Sequence, residues 1–387
     1  MGPLQGITVI EMAGIGPTPF AGMALADLGA KVILIERKHA SNNAAAGLDQ
    51  RGSNLFHRGK QALALDLKQP ESVPLVRQLL AQADVLIEGF RPGVMERLGL
   101  GPDIALGINP KLIYGRLTGY GQTGPLAQMA GHEPNYTGLS GALYYGGRPA
   151  QGAQPRHAPS APLTSMGDVG GGSMVLIMGI LSALLHVKNG GPGQVIDSAI
   201  SDGSAYISTL MWSLKQIGHI DSEFGHGWAD GAAPWNQTYC CADGRYVAVC
   251  ALEPQFYQAL LQGLQLNDDP LLQQQWDRRH WSAATARLSA LFASQPQAHW
   301  CDRFAGTDAC LGPVLDFEQA QAHPHNQARG TFVSPNGVSQ PAPAPQFSAT
   351  PTQAGTIPQH GQHNQAILAQ LGLTPAEIAA LQQQGVC

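Results

Sequence analysis

The sequence predicts an α/β fold in which a large domain with a parallel, helix-covered sheet carries a smaller inserted domain. Short β-branched runs alternate with amphipathic stretches over the first 120 residues, and another strand and helix begin near residue 193. From about Gly225 the pattern changes to a hairpin followed by helices. A chain of 387 residues with 44% hydrophobic content can bury more than one core.

Each element of the large domain follows from its own residues. Runs of Val, Ile and Leu predict strands, and the stretches with apolar residues at helical spacing predict the helices between them. Ligands of parallel sheets bind at the carboxyl ends of the strands, so the loops after those ends are the places to search. The predicted strands are ITVIEM, KVILIE, ALALD, VLIEG, KLIYGRL and GQVIDSAI, and the first two helices are PFAGMALADLG and ESVPLVRQLLAQ.

The rest of the chain predicts the smaller domain, followed by a C-terminal connection and a last helix. TYCCADGRYVAVCAL predicts a hairpin that turns at Asp243-Gly244, and a helix follows it in EPQFYQALLQGL. A Pro-rich stretch after about residue 333 predicts a long irregular connection. Thr374, Pro375 and Glu377 then have the spacing of a capping box and predict a last helix.

Composition excludes several classes of protein. A net charge of −5 with scattered charges argues against a nucleic-acid surface. The apolar run Met174–Leu185 is shorter than the roughly 20 residues of a membrane span, which predicts a buried helix and no membrane partner. The start MGPLQGITVIEMAG lacks signal-peptide features, so a cytoplasmic location is expected. The six cysteines contain no CxxC pair, and His and Cys spacing shows no metal-ligand set.

Asp168 lies between Gly167 and the run Gly170–Gly172, just before the long apolar helix. One interpretation is an N-cap, which aspartate forms well. The other is a catalytic floor, where glycines let backbone approach a ligand and helix-start N–H groups hold an oxyanion. Those N–H groups lower the pKa of a carboxyl, whereas burial raises it. The residues alone leave both interpretations open.

Further candidates lie in the strand-end loops. The loop AGIGPTPF lacks the third glycine of a dinucleotide-binding fingerprint because Pro19 takes that place, so NAD binding is not expected. His132 and Glu133 lie between two glycine-rich turns, in a loop where acid-base residues collect. Four cations near strand ends suit a polyphosphate, although each can also be a solvated loop charge: Arg37, Arg58, Lys60 and Arg91.

Taken together and in order, the motifs resemble the α-methylacyl-CoA racemases of the family III CoA-transferase superfamily. The resemblance runs from the N-terminus to about Phe332 and continues more loosely to the last helix. Family members usually read GHD where this chain has His132-Glu133, which leaves the role of Glu133 open. The segments that carry the resemblance are ITVIEMAGIGPTPFAGMALADLGAKVILIER, ALALDLK, VLIEGFRPGVMERLGLG, RLTGYGQTGP, AGHEPNY, MGDVGGGSMVLIMGILSAL, GQVIDSAISDGS and CADGRYVAVCALEPQFY.

The resemblance implies a Rossmann-like large domain made from both chain ends, over residues 1–224 with a C-terminal return over 331–387. It also implies a small α+β domain over 225–330 and an interlocked homodimer. Acid-base roles fall on His132 and Asp168, with Glu253 joining the histidine side. No cofactor is implied beyond the CoA that the substrate carries. The residues assigned to the CoA thioester are Arg37, Arg58, Lys60, Arg91, Gly131 and Tyr136.

The implied chemistry explains these residue types. A proton α to a thioester is a weak acid, so a base must lie close and the enolate must be stabilised. Inversion needs a second acid on the opposite face, and His132 and Asp168 can exchange these roles with direction. Helix-start N–H groups near Asp168 would hold the thioester oxygen. Four methionines suit either an adaptable acyl site or core packing: Met166, Met174, Met178 and Met211.

Two other functions remain open at this stage. A family III CoA-transferase would use Asp168 as a nucleophile, but the transferases lack the GHD-type histidine that this chain has at His132. A CoA-binding protein without catalysis would need the basic residues but not His132 and Asp168 together. The acyl chain of the substrate is not identified by the sequence.

Overall fold

A parallel six-stranded sheet forms the centre of the larger unit, as the alternating pattern predicts. The computed structural model describes residues 2–38, 54–148, 157–160 and 164–387. The strands in those ranges are β1 (Thr8–Met12), β2 (Lys31–Arg37), β3 (Gln61–Leu65), β4 (Val85–Glu88), β5 (Ile113–Thr118), β6 (Gln194–Ala199), β7 (Asn236–Cys240), β8 (Tyr246–Cys250), β9 (Leu311–Val314), β10 (Phe332–Val333) and β11 (Gln340–Pro341). The order β3-β2-β1-β4-β5-β6, with every pair parallel, confirms the predicted fold class.

Helices connect the strands and cover the sheet. Several begin at a proline in the first turn, where the missing N–H costs nothing. The last helix has the capping box predicted for it, since Glu377 N–H donates to Thr374 Oγ1. The helices are α1 (Pro17–Asp27), α2 (Ser72–Gln82), α3 (Val94–Arg97), α4 (Pro102–Ile108), α5 (Glu133–Leu139), α6 (Val175–Lys188), α7 (Ile200–Ile207), α8 (Thr209–Gln216), α9 (Pro254–Leu264), α10 (Arg278–Phe292), α11 (Gln297–Phe304), α12 (Phe317–Ala322), α13 (Pro324–Arg329), α14 (Asn364–Gln370) and α15 (Pro375–Gln383).

The sheet buries one apolar cluster on each face, because alternate strand residues point in opposite directions. Ile10 and Ile33 belong to the cluster that α2, α14 and α15 cover, whereas Val9 and Val32 belong to the one that α1 and α6 cover. The C-terminal helices thus pack on strands from the N-terminal part of the chain. The large unit is therefore made from both chain ends, as the resemblance implies.

The smaller unit has its own core. Its strands form an antiparallel sheet in the order β7-β8-β9, and the hairpin predicted at Asp243-Gly244 is present. Val247 and Val249 on the inner face of this sheet pack against α9, α10 and α11. The described residues of 141–161 and 208–327 group together in this unit, and those of 1–140, 162–207 and 328–387 group in the larger one. The described residues of 141–161 and 208–224, which the sequence predicts in the large domain, thus group with the smaller unit.

The apolar helix after Asp168 is buried on one face only. A helical segment runs over Ser165–Lys188, and its 24 residues are long and apolar enough to cross a membrane by length and composition. Leu176 and Ile180 are fully buried in the sheet core, as expected of a core helix. The predicted burial holds for that face only, because an apolar stripe on the opposite face is at least one-third exposed: Met174, Met178, Leu181 and Leu185.

A buried ion pair lies beneath α1. Lys60 Nζ is 2.8 Å from Glu11 Oε1 and 2.6 Å from Oε2, and it also donates to the Pro19 carbonyl oxygen at 2.9 Å. Neither side chain is accessible to solvent. A Cβ at Gly22 would stand 1.8 Å from Glu11 Oε2, so only glycine leaves room for the carboxylate. The pair consequently ties β1 to the residue that precedes β3.

Lys60→Met should lower the free energy of unfolding by about 3–5 kcal/mol, because it leaves the Glu11 charge buried without a partner. Chemical denaturation measures this, with Lys31→Met as the matched control, since the Lys31 ammonium donates to Gln370 Oε1 at an exposed position. The control should change stability by less than about 1 kcal/mol. Adding Glu11→Leu to Lys60→Met should recover most of the loss. Equal losses in the two lysine variants would contradict the structural role of the pair.

Candidate active site

Asp168 lies inside a helix rather than at its cap. Residues Ser165–Met174 form a π-helical segment with Thr164 as its N-cap, and this segment continues directly into α6. The N-cap interpretation of Asp168 is therefore wrong, since the helix begins three residues earlier. The Val169 N–H donates to the Thr164 carbonyl oxygen at 3.0 Å. N–H groups that precede that bond need partners from outside the segment.

The glycines around Asp168 allow neighbouring helices, and not only a ligand, to approach the segment closely. A Cβ at Gly171 would lie 2.5 Å from Ser204 N, and one at Gly203 would lie 1.8 Å from the Gly171 carbonyl oxygen. The π-helical segment and α7 therefore touch backbone to backbone. A Cβ at Gly167 would meet Thr137 Cγ2 at 2.8 Å and Glu133 Cγ at 2.9 Å. These glycines thus bring α5 and α7 against the segment that carries Asp168.

Glu133, at the first position of α5, reaches into the start of this segment. Its side chain belongs to a residue only 6% exposed. Oε1 accepts from the Gly167 N–H at 2.9 Å and Oε2 accepts from the Asp168 N–H at 3.3 Å. These are two of the N–H groups that the sequence analysis assigned to the thioester oxygen. In this structure a carboxylate of the protein takes that place.

His132 and Asp168 lie close enough for the histidine charge to influence the Asp168 carboxyl. His132 is exposed and immediately precedes α5, where its backbone N–H donates to Asn135 Oδ1 at 3.0 Å. The loop after β1 comes close as well, since a Cβ at Gly16 would be 3.8 Å from Asp168 Oδ2. Burial raises the pKa of Asp168 to about 6, the Glu133 carboxylate adds to the rise, and the His132 charge opposes it. Asp168 can therefore give or take a proton near neutral pH.

Tyr136 and Gly131 contact each other close to His132. The Tyr136 hydroxyl donates to the Gly131 carbonyl oxygen, and its ring packs edge-on against Tyr120 with centroids 5.0 Å apart. A Cβ at Gly119 would be 2.1 Å from the Tyr136 ring. Burial raises the pKa of Tyr136 to about 12, the charge of Asp168 adds to the rise, and Arg91 opposes it. Tyr136 and Arg91 are thus near the proposed acid-base group.

The four candidate cations fall into two classes. Arg37 and Arg91 are exposed at strand ends, as a phosphate contact requires. Arg58 is 4% exposed, and its guanidinium binds Asp27, with Nη2 at 2.5 Å from Oδ2, as well as Gln340 Oε1 and the Pro341 carbonyl oxygen. Lys60 is held in its pair with Glu11. The charged groups of Arg58 and Lys60 are therefore already engaged inside the larger unit.

Glu253 lies in the smaller unit. It is the exposed N-cap residue of α9, and its carbonyl oxygen accepts from the Tyr257 N–H at 2.9 Å. His132, Glu133 and Asp168, in contrast, all belong to the larger unit. Among the described residues no group of three or more His, Cys, Asp and Glu side chains is arranged to hold a metal ion.

The contact that sequence reasoning missed is the one between Glu133 and the two N–H groups. The signal in the sequence was a carboxylate directly beside His132, in a loop already selected by its position. Nothing in the spacing of 34 residues between Glu133 and Gly167 indicates that the two meet. Their contact follows from the order of β5 and β6 in the sheet.

Comparison with known proteins agrees with the resemblance of the motifs. Residues 4–364 match the model of CoA-transferase family III. The chain is 42% identical to the α-methylacyl-CoA racemase of Mus musculus and 40% identical to that of Homo sapiens, and each alignment covers 98% of this chain and 96% of the relative. A crystal structure of a CaiB/BaiF family protein from Brucella suis superimposes with a TM-score of 0.79 at 28% identity, over 96% of this chain and 99% of that one.

The family model covers most of the chain, and the two racemases align with almost all of it. The sheet order, the strand-end loops and the segment around Asp168 lie within the matched residues. The chain belongs to CoA-transferase family III.

Proposed function

We propose that the protein is an isomerase that racemises 2-methylacyl-CoA thioesters by moving a proton at the α carbon. The observation that carries the proposal is the carboxyl of Asp168, whose pKa burial raises to about 6 although the charge of His132 opposes the rise. A group with that pKa is effective in both directions of proton transfer near neutral pH. The two racemases that align with this chain support the same reaction.

In the proposed mechanism one side chain removes the α proton and the other returns a proton to the opposite face. Asp168 and His132 take these two roles, which exchange with the direction of the reaction. Glu253 is proposed to join the histidine side. The intermediate enolate needs hydrogen-bond donors at the thioester oxygen. The Gly167 and Asp168 N–H groups are engaged by Glu133, so the donors must come from elsewhere in the site.

The CoA part of the substrate is proposed to bind through exposed cations at the strand ends. Arg91 lies directly after β4, and Arg37 is the last residue of β2. Both can reach a phosphate without breaking a buried pair. Arg58 and Lys60 are instead proposed to have a structural role, because their charged groups bind Asp27 and Glu11. Besides the CoA carried by the substrate, we propose no cofactor.

Two copies of the chain are proposed to form a homodimer in the cytoplasm. The exposed apolar stripe on the helical segment Ser165–Lys188 supports this, since Met174 is 52% and Leu185 is 60% exposed in the single chain. Exposed apolar patches of this kind are typical of interaction surfaces. The same methionines offer an adaptable surface to an acyl chain at the end nearest Asp168.

Racemisation is tested with one enantiomer of a 2-methylacyl-CoA in D2O, by following α-deuterium incorporation and optical purity. In the wild type we expect α-deuterium incorporation to rise while optical purity falls. Asp168→Ala and His132→Ala should each slow the reaction at least about a hundredfold, the usual contribution of a general acid or base. His186→Ala is the control, because His186 is an exposed histidine in the last turn of α6 whose ring lies beside Gly191, before β6 begins. Transfer of CoA to a free carboxylate without α exchange would instead identify a CoA-transferase with Asp168 as nucleophile.

The pH dependence follows from the raised pKa of Asp168. In the direction in which Asp168 removes the proton, kcat/KM should rise with pH and level off above about 6, because only the ionised carboxyl is a base. The opposite direction should show the same limb, because the equilibrium constant of racemisation does not depend on pH and therefore fixes the ratio of the two kcat/KM values. Initial rates with each enantiomer over pH 4–8, about two units either side of that pKa, measure the limb. A kcat/KM that does not change with pH through this region would contradict acid-base catalysis by Asp168.

Arg91→Ala should weaken CoA binding by about ten- to a hundredfold, because hydrogen bonds to charged groups contribute about 1.5–3 kcal/mol. Titration calorimetry with CoA measures the dissociation constant at two salt concentrations. Arg97→Ala is the matched control, since Arg97 is an exposed arginine at the end of the neighbouring α3. Equal effects of the two substitutions would exclude a specific contact through Arg91.

A further inference from the structure

The carboxylate of Glu133 is buried yet bonded to backbone rather than to a cation. Its two oxygens accept from consecutive N–H groups, of Gly167 at 2.9 Å and of Asp168 at 3.3 Å. Exposure is 6% for Glu133, whereas its neighbour His132 is exposed. A charge held this far from water needs hydrogen bonds to remain favourable. The contact is therefore specific and not a chance surface approach.

We propose that Glu133 is a positioning residue for Asp168, which fixes the backbone at residues 167–168 and holds a second negative charge beside the Asp168 carboxyl. The inference rests on the proposed role of Asp168 in proton transfer. It gives a function to the one residue at which this chain departs from the GHD motif of its family.

The geometry of the π-helical segment explains why an outside acceptor is needed. The Val169 N–H bonds to the Thr164 carbonyl oxygen, so the preceding N–H groups have no carbonyl within the segment. Glu133 satisfies two of them at the end of the helix where negative charge is favourable. Gly167 has no side chain to block the approach, since a Cβ there would lie 2.9 Å from Glu133 Cγ. The peptide that carries Asp168 is thereby held in one place.

The second consequence is electrostatic. Burial is the main reason that the Asp168 pKa is raised, and the Glu133 charge adds to it while His132 opposes it. Among the described elements that pack on the segment, α5 also brings Tyr136, and α7 carries Asp202 and Tyr206. The first turn of α1 has no titratable side chain. Removing the Glu133 charge should therefore lower the Asp168 pKa.

Three variants separate position from charge. Glu133→Gln removes the charge and leaves one oxygen for two N–H groups. Glu133→Asp keeps the charge on a side chain that is one methylene shorter. Glu377→Gln is the matched control, because Glu377 is also a carboxylate that accepts a backbone N–H, that of Thr374 at 2.7 Å in the distant cap of α15. Thermal unfolding of each variant checks that it is folded.

The first measurement is amide hydrogen exchange in the peptide that spans residues 165–174. We expect faster exchange in Glu133→Gln and Glu133→Asp, and no change there in Glu377→Gln. This readout needs no substrate, so it decides the backbone half of the inference even if the wild type shows no racemisation. Wild-type protection retained in both Glu133 variants would overturn the positioning role.

The second measurement is the pH profile of α-deuterium exchange. We expect the Asp168 limb to move to lower pH in Glu133→Gln and to stay near the wild-type position in Glu133→Asp, with rates reduced up to about a hundredfold by misplacement in both. An unmoved limb in Glu133→Gln would overturn the electrostatic role. If Glu133→Gln does not fold, the comparison of Glu133→Asp with the control decides the positioning role. Absence of exchange in the wild type would instead count against the proposed racemase function.

Discussion

The placement of the proposed catalytic groups depends on the backbone contact between Gly171 and Gly203. A methyl group at Gly203 would come within 1.8 Å of the Gly171 carbonyl oxygen, so any side chain would push the π-helical segment away from α7. Ser173 then fixes the other side of the segment, because its hydroxyl lies 2.8 Å from the Pro17 carbonyl oxygen at the start of α1. These contacts hold the segment so that the Asp168 carboxyl lies close to Gly16 in the loop after β1.

The four candidate cations of the larger unit differ in burial and in whether an acidic side chain binds them. Arg58 and Lys60 are buried, and each has an acidic partner, because an unpaired charge away from water is strongly unfavourable. Arg37 and Arg91 are exposed and can turn towards a ligand without such a loss. The sequence shows four cations near strand ends and no difference between these classes. The difference arises from Asp27 and Glu11, which the fold brings beside two of the four.

The parallel sheet and its helix layers could be predicted from the sequence because each depends on local periodicity and on the rules of parallel sheets. His132 and Asp168 could be selected for the same reason, since both follow strand ends or precede a helix there. The start of the π-helical segment could not be predicted, because an i→i+5 pattern leaves no distinct signature near Asp168 and three glycines. The contact of Glu133 with Gly167 could not be predicted either, since it joins residues 34 apart that meet only after β5 and β6 pair.

The pKa of Asp168 does not by itself separate isomerase from transferase chemistry on this fold. A carboxyl with a pKa of about 6 is mostly ionised at neutral pH, which a nucleophile requires, and it still takes up a proton readily, which an acid-base residue requires. The two reactions differ instead in the need for a second proton carrier. Racemisation requires one on the opposite face of the α carbon, whereas acyl transfer through an anhydride does not. His132, which lies in the same unit as Asp168, is the residue proposed to supply that group. The histidine, more than the aspartate, is therefore the residue on which the choice between the two reactions depends.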